Sequence, residues 1–149
     1  MNKNILKTTF IALFAAITCI GTFIKIPIGP IPIVLQNALC VLTGVILGGI
    51  WGGAPSLVWM LAGLIGLPVY AGGTSGIGVW LGPTGGFLPG YVIGALAASL
   101  IAGKPSVSEK KDGKARVVRV ALAMVAGMAI LYIPGVIHFA RKMNHARNV

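Results

Sequence analysis

Thr18, Gln36, Asn37, Thr43, Ser56 and Thr84 are uncharged polar residues set inside long apolar runs. Hydroxyls and amides of this kind can hold a neutral guest by hydrogen bonds, but on their own they break no covalent bond. A buried amide costs free energy until it finds partners. Gln36 and Asn37, adjacent near the start of one run, therefore need one of two things: a ligand with amide-like donors and acceptors, or neighbouring helices that offer the same groups. Groups able to do harder chemistry are scarce. The only acids, Glu109 and Asp112, share one charged segment, and His138 and His145 lie in a basic tail that reads as a solvated face. No nucleophile–base pair falls within an apolar run, which argues against an enzyme. A P-loop is absent: Gly103-Lys104 is followed by Pro105, and Ala98 stands where the first glycine belongs. Gly76-Ile77-Gly78 lacks the strand, the third glycine and the downstream acid of a dinucleotide fingerprint. Cys19 and Cys40 each sit inside an apolar run and read as inert thiols. Neither a cofactor nor a metal is expected.

The elements that must position these residues are set by the solvent. Of 149 residues, 56 % are hydrophobic and only 9 % charged, and the mean hydropathy is +0.93. A soluble domain carries about a quarter charged residues, and so short a chain cannot hide this much apolar surface from water. The expected class is an all-α, polytopic transmembrane helical bundle, a single domain over residues 1–149. Five apolar segments support it, at roughly 8–25, 33–52, 54–69, 83–102 and 117–137, against a requirement of about 20 residues per spanning helix. The first is too long for a signal-peptide core and is read as an uncleaved span.

The net charge of +10 does not point to nucleic acid, because the basic residues flank the apolar runs instead of forming one face of a soluble fold. Lys3 and Lys7 place the N-terminus in the cytoplasm, and four crossings return the chain there at the charged segment 103–116. Two loops then fall outside. One is the proline-rich piece KIPIGPIPI, 25–33, expected to be extended and stiff; it is read either as a greasy surface turn or as a roof over a cavity. The other is the glycine-rich, uncharged stretch 70–82. A fifth crossing would carry the basic tail 138–149 outside, against the positive-inside tendency.

Small residues recur every fourth position: Thr8, Ala12 and Ala16; Gly44, Gly48 and Gly52; Gly86, Gly90, Gly94, Ala98 and Ala102. Such stripes let helices approach closely in lipid, either within this chain or against a separate membrane protein.

Three pieces, IPIGPIPIVLQN (26–37), LIGLPVYAGG (64–73) and LGPTGGFLPGY (81–91), closely resemble the signatures of BioY, the biotin-binding substrate subunit of energy-coupling-factor (ECF) vitamin transporters. The likeness covers about residues 8–137. It implies a six-helix bundle in the cell membrane that captures biotin from outside and associates with a transmembrane coupling (T) subunit and two ABC-type ATPases. It also implies a docking surface at Ala12 and Ala16, and ligand contacts at Gln36, Asn37, Gly82, Thr84, Gly85, Gly86 and Phe87. Family members end with a sixth helix bearing an Asp and a Lys near a PGD-type turn. These have no counterpart before Val149, so a chain truncated at its C-terminus is expected. On this reading the glycine loop is a lid, with Trp80, Tyr70 and Phe87 as flat apolar walls. The competing readings are a structural or assembly membrane protein and a capture subunit for a different vitamin.

Overall fold

The computed structural model describes residues 2–26, 33–104 and 113–148. The proline connector, 27–32, and most of the charged segment, 105–112 with both acids, lie outside the described residues. Helix α1 (Lys3–Gly21) starts at Asn2, whose side chain accepts from Asn4 N. Strands β1 (Lys25–Ile26) and β2 (Ile33–Val34) pair antiparallel, with Lys25 opposite Val34. Helix α2 (Leu35–Leu47) follows directly, its first amide bonded to Ile24 O at 2.9 Å.

The expected second and third spans come out shorter than their apolar runs. Gly48 and Gly49 take φ of +66° and +63°, backbone that residues with a Cβ rarely adopt, and they end α2 in a 3₁₀ turn, Gly49–Gly53. Helix α3 (Ala54–Leu64) begins there with Pro55 in its first turn, where the missing N–H does no harm. After a loop come the short α4 (Ile77–Leu81) and then α5 (Phe87–Ala102). Helix α6 runs from Gly113 to Arg147, well beyond the expected 117–137, and most of the basic tail simply continues it. Pro134 lies within α6 without ending it, as helices in lipid often tolerate. Of the described helices, α1 and α6 are long and apolar enough to cross a membrane, while α2, the stretch Gly49–Leu64 and α5 are shorter apolar helices.

Close packing explains the glycines. A Cβ at Gly44 would come within 2.3 Å of Ala95 O, one at Gly94 within 2.6 Å of Gly127 O, and one at Gly90 within 2.7 Å of Leu131 O. The α2 and α5 stripes therefore bring α2 onto α5 and α5 onto α6, while α1 lies on α2 and α3. Its buried face is Ala15, Thr18 and Gly21; Thr8, Ala12 and Ala16 are exposed. Val118, Leu122, Val125 and Ile133 stand out from α6 more than half exposed. That is costly in water and ordinary in hydrocarbon. Cys19 and Cys40 are free thiols.

Candidate functional site

The polar residues of α2 are tied to three other parts of the chain. Asn37 Nδ2 donates to Tyr132 Oη on α6, and Tyr91 Oη on α5 donates to Asn37 Oδ1 at 2.8 Å. Both ends of the amide are thus held by tyrosines from helices far apart in sequence. At the neighbouring Gln36, Thr22 Oγ1 lies 3.0 Å from Oε1, and it also lies 2.9 Å from Val69 O and 3.2 Å from Thr18 O. With a single proton it serves one of these acceptors at a time.

Above these groups opens a cavity of about 390 Å³, within the usual range for small-molecule sites. Its walls are aromatic. Trp59 meets Tyr70 and Tyr91 edge-on at 5.2 and 5.1 Å between ring centres, and Phe87 meets Tyr132 at 5.9 Å. Most polar atoms of these rings are committed elsewhere. Trp59 Nε1 donates to Val69 O at 2.7 Å, Tyr70 Oη donates to Met60 O, and Trp80 Nε1 donates to Tyr70 Oη at 3.1 Å. Burial pushes the Tyr70 phenol above its ordinary range, with the Trp80 N–H pulling the other way, so it remains a donor at neutral pH. What stays available to a guest is the Tyr132 hydroxyl proton, the second Asn37 N–H, the Gln36 amide nitrogen and Thr84. Among the described residues that line it, none is charged.

Of the expected contacts, Gln36, Asn37, Gly82, Thr84 and Phe87 line this cavity, and so does Tyr70. Trp80, Gly85 and Gly86 do not. The Trp80 indole braces Tyr70 from behind. A Cβ at Gly85 would fall 1.8 Å from Trp80 O, and one at Gly86 would fall 2.3 Å from His138 Cβ. These glycines let the chain fold on itself and onto α6. The expected lid is also more ordered than an open loop, since it holds α4 and a Tyr70–Thr74 bridge. Trp59, Tyr91 and Tyr132 escaped the sequence reading. Nothing around them separates a cavity wall from an ordinary core aromatic.

His138 is also placed differently from the expected solvated tail. It is half-buried on α6, with Nε2 3.2 Å from Gly82 O, and so ties α6 to the cavity-lining turn. His138→Ala is expected to lower the thermal midpoint in detergent by about 2–4 °C, the loss of one modest hydrogen bond. It should also speed limited proteolysis within 72–86, and His138→Gln should restore part of both. An unchanged cleavage rate would show that the contact does not hold the turn.

Comparisons with known proteins bear on the family and the fold. The model of the BioY family matches residues 1–148. The chain is 37 % identical over 124 residues to the biotin transporter BioY of Thermotoga maritima, covering 83 % of this chain and 68 % of that one. It is 34 % identical over 135 residues to the probable biotin transporter BioY of Pyrococcus horikoshii, covering 91 % and 75 %. In structure it resembles the S-component for biotin from an ECF-type ABC transporter, with a TM-score of 0.77 and 28 % identity, covering 97 % of this chain and 77 % of the other.

Proposed function

Because this chain belongs to the BioY family, we propose that it is the biotin-capturing S subunit of an ECF-type importer, a membrane protein and not an enzyme. The observation that carries this reading is the cavity floor, an Asn37 amide fixed between Tyr91 and Tyr132 beneath aromatic walls. Biotin's ureido ring offers two N–H donors and one carbonyl acceptor and bears no charge. The Tyr132 hydroxyl and the amide nitrogens of Asn37 and Gln36 can donate to that carbonyl, and Thr84 Oγ1 and the second lone pairs of the two amide oxygens can accept from the ring N–H groups. The fused rings suit faces such as Trp59 and Phe87.

The remaining roles follow from position. The cavity is built at the start of α5, whereas α5 ends beside Lys104. Lys7 lies over the Trp51 ring, and a side chain added at Gly49, in the same 3₁₀ turn, would touch Lys104. The end that carries Lys7 and Lys104 is thus opposite the cavity. With basic flanks inside, the N-terminus is cytoplasmic, the cavity faces outward, and residues 1–149 act as one transmembrane unit in the cell membrane. Energy comes from a coupling T subunit and two ABC-type ATPases, since the chain has no P-loop of its own. The exposed small residues Ala12 and Ala16 on α1 form the surface on which the coupling subunit docks.

Purified chain in detergent tests the ligand. Biotin at about a hundred times its Kd adds about 2.7 kcal/mol of stability, an upward shift of several degrees in the thermal midpoint. Riboflavin and thiamine should give none. A shift with one of them and not with biotin would assign the chain to another vitamin, and no shift with any would favour a purely structural membrane protein.

A further inference from the structure

We propose that Lys25 sets ligand specificity by holding the carboxylate of the guest at the cavity mouth, so that the pocket prefers biotin's free acid to its neutral derivatives. The proposal rests on the biotin reading above. Biotin's ring end is neutral and its other end is an anion at neutral pH. The described lining of the cavity matches only the first, for none of its residues is a cation. A carboxylate drawn inside without a partner would lose its hydration for nothing, so a cation must meet it at the rim or it must stay in water.

Lys25 is placed to meet it. Its Cα pairs with that of Val34, a buried wall residue, so β1 borders the cavity. Its ammonium reaches across to the glycine loop, 3.5 Å from the point where a Cβ on Gly72 would lie. Ala71 and Thr74, on either side of that turn, line the cavity. The charge therefore sits between the two backbone segments that form the mouth. Gly72 leaves it room, and at φ +77° few other residues would fit there.

Lys25 also has no competing partner of the ordinary kind. The described residues include no Asp or Glu, because both acids fall between Lys104 and Gly113 in the chain. The other groups toward this end are cationic or committed: Arg141 and Lys142 are exposed on α6 beyond the cavity, and His138 is bonded to Gly82 O. Together they make the field at the mouth attractive to an anion, and among the described basic residues Lys25 is the one that reaches the turn between Ala71 and Thr74.

The test is titration of purified chain with biotin and with biotinamide, its uncharged counterpart, followed by calorimetry. Wild type should bind biotin about tenfold more tightly than biotinamide, with the gap narrowing at high salt. Lys25→Met should weaken biotin about five- to tenfold and leave biotinamide within about twofold; Lys25→Arg should keep the preference. Equal weakening of both ligands by Lys25→Met, or a preference that survives it, overturns the proposal while leaving the biotin reading intact. A wild type that binds both ligands equally also overturns it. A wild type that binds neither removes the biotin reading, and the role of Lys25 with it.

Discussion

Asn37→Leu is expected to weaken biotin binding by about a hundredfold or more while the chain still folds. A site built to hydrogen-bond its guest discriminates steeply, because unpaired polar groups are left behind when one partner is lost. Here the substitution removes the acceptor of Tyr91 Oη and the donor to Tyr132 Oη together. The buried Tyr91 hydroxyl is then orphaned, a cost of about 1–3 kcal/mol in stability. Adding Tyr91→Phe should recover part of that loss, since the orphan disappears, yet should recover no binding. This separates the two roles of the amide: the thermal midpoint reports its cross-linking of α2, α5 and α6, and titration reports its contact with ligand. Biotin affinity within about threefold of wild type in folded Asn37→Leu would mean that the amide serves only to join helices.

Gly44→Val should be more damaging to the fold than any change on the cavity surface. The added Cβ would lie 2.3 Å from Ala95 O and 3.1 Å from Ala95 Cα, so the obstacle is backbone and no rotamer change can relieve it. Helix α5 must move off α2, and it carries Phe87, Leu88 and Tyr91 of the cavity with it. Overpacking of this kind costs about 3 kcal/mol or more, read as a fall of about 6–12 °C in the thermal midpoint together with loss of biotin binding. Gly113→Ala is the matched control. A Cβ there meets nothing within 4 Å, so both readouts should stay at wild-type values. A Gly44→Val protein with the normal midpoint would show that α2 and α5 do not pack this closely.

The helix stripes show where reading the chain in order succeeds and where it stops. Spacing of four marks α1, α2 and α5 alike, yet the small residues of α5 pack against α6, Gly44 packs on α5, and Ala12 and Ala16 of α1 stay open. Spacing indicates that a close approach is possible; only the arrangement of the other helices says which stripe is used. Likewise, Gly85 and Gly86 carry the same local signal as Gly82, but only Gly82 borders the cavity.

Composition and charge placement alone determine that this chain belongs in lipid, because a polypeptide with so few charges and so much apolar surface has no stable arrangement in water. The same local information marks Gln36 and Asn37 as polar groups in need of partners, since the cost of burying an amide does not depend on where the chain goes next. Tertiary structure decides who those partners are. Tyr91 and Tyr132 lie 54 and 95 residues from Asn37, and a hydrogen bond across such distances exists only once α5 and α6 have packed. Local patterning carries periods of a few residues and so has no means of recording it.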